Sequence, residues 1–87
     1  MKIRDGFILR EVADNYIVVA VGEAVKSFNG VINLNETGAF LWQFYTEDHT
    51  LDDGVNALLS EYEVEETLAR ADVEQFIQTI TENGFAE

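Results

Sequence analysis

The stretch GVINLNETGAFLW, residues 30–42, reads as a strand that continues directly into a helix. Successive residues of a strand point to opposite faces, so residues 28–34 divide into two sets. The set predicted to face the core contains Phe28, Gly30, Ile32 and Leu34. No charged residue occurs from Ser27 to Asn35, although the chain as a whole is strongly acidic. The neutrality of this strand therefore needs an explanation.

The helix that follows, predicted over residues 36–47, is apolar nearly all round and should be the central helix. Asn35 can cap it by accepting a hydrogen bond from a free backbone N–H, and Glu36 suits the positive end of the helix dipole. Gly38 disfavours a helix by about 1 kcal/mol relative to alanine. Its presence in the first turn indicates close packing on a neighbouring element.

Two further strands precede this stretch. Residues 7–12 and 16–22 are rich in β-branched and aromatic residues, and the turn signal at 13–15 predicts a hairpin. Residues 22–27 are predicted to be a loop or a continuation of the second strand. The third strand is predicted over residues 28–34.

Two more helices follow it. Thr50 and Asp53 resemble a capping box, and the stripe behind them consists of Val55, Leu58, Leu59 and Tyr62. The third helix is predicted to begin near Glu65 and to end at a left-handed Gly84, with Phe85 packing on Ile80. Its apolar stripe consists of Ala69, Val73, Phe76, Ile77 and Ile80. The fold class is therefore α+β, a three-stranded antiparallel sheet followed by three helices, in one domain over residues 1–87.

The charge is unevenly distributed along the chain. Residues 1–35 carry four basic and four acidic side chains, whereas residues 36–87 carry one basic and thirteen acidic ones, which gives the net charge of −12. Such a field repels nucleic acid and favours basic partners. Surface acids that simply keep a small protein soluble explain the charge equally directly.

No group of residues predicts catalysis. The chain has no cysteine and a single histidine, His49, in a polar stretch where a solvated side chain is expected. Glycines are spaced too widely for a phosphate-binding loop, and no apolar run is long enough to span a bilayer. We therefore expect no enzymatic activity, cofactor or metal, and a cytoplasmic location without membrane attachment.

Several segments together resemble the PqqD family. They are FILREV, YIVV, GVINLNETGAFLW, the helix start TLDD, YEVEE and ADVEQFIQTITENGF, which span residues 7–85. LNETGAFLW is the most specific of them. The resemblance implies a winged-helix-like fold and a peptide-binding module of pathways that modify ribosomally made peptides. Such modules hold the leader of a precursor peptide and present it to an enzyme, often a radical S-adenosylmethionine enzyme.

The resemblance implies that the leader adds as a strand to the third strand and lies against the third helix. This explains the neutral strand, because free edges are usually protected by charge and an unprotected one permits strand addition. The alternative is a strand that is neutral because it is buried. The peptide-binding residues implied are Phe28, Gly30, Val31, Ile32 and Asn33 on the strand, Val73, Phe76, Ile77 and Ile80 on the helix, and Arg70, Glu74 and Thr81 flanking it.

Two other functions stay open at this point. A winged-helix DNA-binding protein needs a basic recognition helix, and the third helix is acidic. A structural subunit of a larger enzyme is compatible with the same sequence. An unprotected edge also permits homodimers.

Overall fold

The computed structural model describes residues 1–28 and 31–87. The strands are β1 (Phe7–Val12), β2 (Asn15–Ala20) and β3 (Val31–Leu34), and the helices are α1 (Glu36–Phe44), α2 (Leu51–Glu61) and α3 (Glu66–Glu82). The strands form one antiparallel sheet in the order β1-β2-β3. The predicted α+β class and the order of strands before helices are confirmed.

The first half differs from prediction at its turns. The hairpin loop contains only Ala13 and Asp14, because Asn15 already pairs with Val12 in β2. Ala13 has φ of 57°, the positive value that tight hairpin turns require at their first loop residue. After β2 the chain turns at Gly22 (φ 60°) into a short 3₁₀ helix, Gly22–Lys26, which is neither of the predicted forms. Of the predicted third strand, residues 29 and 30 lie outside the described residues.

The cap of α1 is as predicted. The Asn35 side-chain oxygen accepts a hydrogen bond from the Gly38 N–H at 2.7 Å. A Cβ atom at Gly38 would lie 3.3 Å from the Cβ of Leu34, so the glycine permits the close approach between helix and strand. The helix ends at Phe44 and not at residue 47, because the Thr46 hydroxyl donates to the Gln43 carbonyl at 2.7 Å.

The ends of the other two helices also follow the predicted chemistry. Thr50 and Asp53 form a reciprocal capping box, with bonds of 3.1 Å and 2.9 Å between side chains and backbone N–H groups. At the end of α3, Gly84 has φ of 77° and its N–H donates to the Thr81 carbonyl. The Phe85 N–H donates to the Ile80 carbonyl at 2.9 Å, which completes a Schellman ending.

The core lies between the sheet and the three helices. Its largest fully buried side chains are Tyr45, Leu41, Leu58, Ile80, Val18 and Val73. The Tyr45 hydroxyl donates to the Thr50 carbonyl at 2.8 Å, so its polar atom is satisfied inside the core. Burial, and secondarily the nearby Asp53 carboxylate, raise the pKa of Tyr45 from 10.0 to about 12.

Replacing Gly54 with alanine should destabilise the fold. The added Cβ would collide with the Tyr45 hydroxyl oxygen and lie 3.1 Å from the Val73 side chain. Overpacking of this kind costs about 1–3 kcal/mol, which exceeds the gain of up to about 1 kcal/mol in helix propensity. Denaturant unfolding should show the loss. In a Tyr45→Phe background the same change should cost less, and an equal cost in both backgrounds would show that the hydroxyl is not the obstacle.

The free energy of unfolding should fall as pH rises from about 10 to about 12. In that range the unfolded chain loses the Tyr45 proton while the folded chain retains it, so unfolding becomes easier. The stabilising contribution of protonated Tyr45 is fully present below its pKa in the unfolded chain. It is lost as the pH rises through its pKa in the folded protein. Denaturant unfolding at several alkaline pH values would give the free energy of unfolding at each pH. It should fall less steeply with pH for Tyr45→Phe than for the wild type. Identical slopes would contradict the assignment.

Candidate functional site

Among residues 1–28 and 31–87, the edge of β3 faces no other strand, because β3 is the last strand of the sheet and pairs only with β2. The alternation of hydrogen-bonded and non-hydrogen-bonded residue pairs in the sheet identifies which backbone groups point outward there. The Val21 N–H donates to the Gly6 carbonyl at 2.8 Å, next to the register pair of Phe7 with Ala20. Bonded and non-bonded pairs alternate in an antiparallel ladder, so Ile8 and Val19 form the next bonded pair.

The same alternation of bonded and non-bonded pairs extends across β2 to β3. The residues of β2 that do not bond to β1 bond to β3, and these include Val18, whose partner is Ile32. The backbone groups of Ile32 and Leu34 are therefore used within the sheet. The N–H and C=O groups of Val31 and Asn33 point outward, which provides two donors and two acceptors along the free edge.

A groove separates this edge from α3. Its first part is a cavity of about 280 Å³ between the end of β3, the start of α1 and the middle of α3. Its apolar floor contains Leu34, Leu41 and Phe76. Its polar rim contains Asn33, Thr37, Asp72, Gln75 and Thr79. Asp72 forms no ion pair with the other described residues, so its carboxylate is free to meet a cation.

A second cavity of about 230 Å³ lies beside the other end of β3, near the end of α3. Three packed aromatic rings line it: the ring centroid of Phe7 lies 5.0 Å from that of Phe28 and 4.7 Å from that of Phe85. Val31, Ile32 and Asn83 also line it. The two cavities follow β3 from end to end, so a strand added to β3 would place its inward side chains over them.

A sequence model of the PqqD family, described as coenzyme PQQ synthesis protein D, matches residues 8–86. The chain belongs to the PqqD family. The resemblance found in the sequence is thereby confirmed for nearly the whole chain. None of the curated proteins compared with the chain is similar enough to count as a relative.

Two solved structures are similar to this PqqD-family chain. The lasso peptide synthetase B1 complexed with the leader peptide has a TM-score of 0.73 and 27% identity, covering 99% of this chain and 95% of that one. TbiB1 in complex with the TbiA(beta) leader peptide has a TM-score of 0.75 and 20% identity, covering 100% and 95%. The latter identity shows a common fold only.

The strand residues predicted to bind peptide that the structure describes lie along the groove. Val31 and Asn33 carry the outward backbone groups, and the side chains of Phe28 and Ile32 line the second cavity. Gly30 lies outside the described residues. Because the edge is open, the alternative that the strand is neutral through burial between other elements does not apply to Val31–Leu34.

The helix residues predicted to bind peptide are divided between three environments. Phe76 lines the first cavity, whereas Val73 and Ile80 are fully buried in the core and Ile77 packs against it. Arg70 lies on the opposite flank of α3, where its guanidinium bonds the Asp52 carboxylate of α2 at 3.0 Å. Helical spacing places Glu74 and Thr81 on that same flank. The structure does not bring these three residues to the groove, and their contact with a peptide stays a prediction.

The groove residues of α3 that the sequence prediction missed are Asp72, Gln75 and Thr79. Their spacing of three and four places them in one stripe, beside the apolar stripe and toward β3. This polar stripe is the sequence feature that could have indicated the groove residues. Sequence alone does not distinguish it from the polar stripe on the other flank of α3.

His49 differs from its expected solvated state. Its ring is half-buried and stacks on Phe44, with centroids 4.0 Å apart, and its Nδ1 lies 3.6 Å from the Asp53 carboxylate. Hydrogen bonds from the Thr50 backbone, and secondarily the Thr50 side chain and His49, lower the pKa of Asp53. Within residues 1–28 and 31–87 no cluster of three potential metal ligands occurs, and no helix is long and apolar enough to cross a membrane.

Proposed function

We propose that this protein binds the leader of a precursor peptide as a fourth strand on β3 and presents the peptide to a modifying enzyme. The observation that carries the proposal is the pair of outward-pointing backbone positions, Val31 and Asn33, directly beside a groove. Strand addition uses such backbone groups for affinity and neighbouring cavities for selectivity. The 27%-identical lasso peptide synthetase B1, which is complexed with the leader peptide, supports a leader as the ligand.

The groove determines which side chains the peptide should carry. Its inward residues alternate along the strand, and two of them would enter the apolar cavities at Phe76 and at Phe28. Each buried aliphatic or aromatic side chain contributes about 1.5–3 kcal/mol. A lysine or arginine of the peptide would pair with the Asp72 carboxylate. Ordering the peptide opposes these gains, and we expect affinity in the micromolar range or tighter.

The partner enzyme and the absence of catalysis are part of the same proposal. In this proposal the protein acts by positioning the peptide, and the modifying enzyme supplies the chemistry. The family resemblance predicts a radical S-adenosylmethionine enzyme as the partner, and this stays a prediction. DNA binding is disfavoured because the one basic residue of α3, Arg70, is already paired with Asp52.

The first test is Val31→Pro, which should weaken leader binding about tenfold or more without unfolding the protein. Proline removes the Val31 N–H, which points to the free edge and not to β2. One lost hydrogen bond is worth about 0.5–1.5 kcal/mol, and distortion of its neighbours adds to the loss. Calorimetry would measure the affinity and circular dichroism the fold, with a leader encoded beside this chain as the probe.

Two control variants accompany this test. Val31→Lys keeps the backbone donor and should bind nearly as the wild type does. Ile32→Pro removes an N–H that pairs with β2, so it should destabilise the sheet itself. A folded Val31→Pro variant with wild-type affinity would show that the peptide does not use this edge.

The second test asks which flank of α3 meets the peptide. Thr79→Trp places a large ring in the groove and should reduce leader affinity at least tenfold, whereas Thr81→Trp on the other flank should have little effect. The two changes are matched in residue type and helix, and each should alter stability little. The opposite ranking of the two affinities would favour the flank that contains Arg70.

A structural subunit of a larger enzyme is the remaining alternative. It predicts that the isolated chain binds the enzyme and no peptide. Titration of the isolated chain with the leader separates the two functions, because the proposed module binds the peptide on its own. NMR shifts should then appear in residues of β3 and of α3, and shifts confined to the loop between α1 and α2 would contradict the proposal.

A further inference from the structure

The face of the sheet that points away from the helices is mostly apolar, and no other element of the described chain covers it. Ile8, Val12, Val21 and Val31 occupy outward positions and are among the six exposed large hydrophobic side chains of the described residues. Ile17 and Val19 add to the same face. An antiparallel sheet with one solvated face normally carries polar residues there, so this pattern is unusual for a sheet that stays exposed.

The register places these residues in rows across the sheet. Ile8, Val19 and Val31 form one row, and Arg10, Ile17 and Asn33 form the next. Arg10 is the only charged side chain that the strands present on this face. It forms no ion pair with any residue in the described ranges. We call these two rows, together with Val12 and Val21, the outer face.

The outer face is continuous with the open edge. The backbone of Val31 points to the edge while its side chain lies on the outer face, and the residue as a whole is 56% exposed. A peptide strand added to β3 would extend the sheet, and every second side chain of that strand would continue the row of Ile8, Val19 and Val31. A partner seated on the outer face would therefore contact the protein and the peptide together.

We propose that the outer face docks the enzyme that modifies the bound peptide, through an apolar patch with a carboxylate opposite Arg10. This inference rests on the proposed function. A second copy of the chain fits less well, because the outer face offers no acid for the other copy's Arg10. Two copies packed face to face would also cover the outward side chains of both peptides.

The test uses the purified peptide-modifying enzyme encoded beside this chain as the probe. Its affinity for the module would be measured by biolayer interferometry, and the affinity of the leader peptide by calorimetry on the same samples. Ile8→Glu and Arg10→Glu should each weaken enzyme binding at least tenfold, and Arg10→Lys should weaken it less. Leader affinity should stay within twofold of the wild type, because neither residue lines the groove.

Two further variants make the test specific. Leu68→Glu introduces the same charge at an apolar residue of α3 that is 56% exposed and outside the outer face, so enzyme binding should be unchanged. If Ile8→Glu lowers the melting temperature, Val12→Glu replaces it, because Val12 is 53% exposed and lies at the end of β1. If the wild-type protein does not bind the leader, the proposed function is contradicted. The effect of the variants on enzyme affinity tests the outer face separately.

Two results would overturn this inference. One is unchanged enzyme affinity in folded Ile8→Glu or Val12→Glu and in Arg10→Glu. The other is a wild-type dimer in sedimentation equilibrium that Ile8→Glu dissociates, since a second copy would then occupy the outer face.

Discussion

The junction between β3 and α1 positions the groove beside the open edge. Only Asn35 separates the strand from the helix, and its side chain holds the first turn through the Gly38 N–H at 2.7 Å. Gly38 lets the helix approach Leu34 so closely that an ordinary side chain would meet it. Because α1 packs on the sheet and on α3, this short connection also sets the space between β3 and α3. The groove exists because α1, and not α3, packs directly against the end of β3.

The division of charge follows the division of the fold. The neutral first half forms the sheet, and residues 36–87, which contain the three helices and their connections, carry the whole excess of −12. The groove lies on the boundary, with uncharged strand residues on one side and Asp72 on the other. Charge repulsion between helices is limited where ion pairs occur, as between Arg70 and Asp52. Arg70, the only basic residue of α3, is engaged in this ion pair. The helix therefore presents a negatively charged rim to a ligand in the groove.

Local chemistry made much of the fold predictable from sequence. The Asn35 cap, the Thr50–Asp53 capping box and the Gly84 ending depend on neighbouring residues only, and all three were confirmed. The end of α1 was predicted three residues too late, because the Thr46 side chain bonds the Gln43 carbonyl and that competition is not visible in an apolar pattern.

The details of the site depended on tertiary packing and were less accessible. An apolar stripe predicts which face of α3 is buried, but both polar flanks of that stripe look alike in sequence. Packing against α2 assigns Arg70 to one flank, which leaves Asp72 and Thr79 for the groove. Likewise, the alternation in β3 predicted its core face, whereas the direction of each N–H required the register with β2.

Strand addition on β3 would connect the groove to the outer face through a single layer of backbone. The side chains of an added strand alternate between the two sides, so the residues that fill the cavities differ from those that reach the outer face. Different residues of the leader can therefore determine its binding to the groove and its contact with a partner enzyme. Any partner that contacts the added strand as well as Ile8 and Val19 binds more tightly when the peptide is present. Thermodynamic linkage then requires that the partner strengthen peptide binding by the same factor.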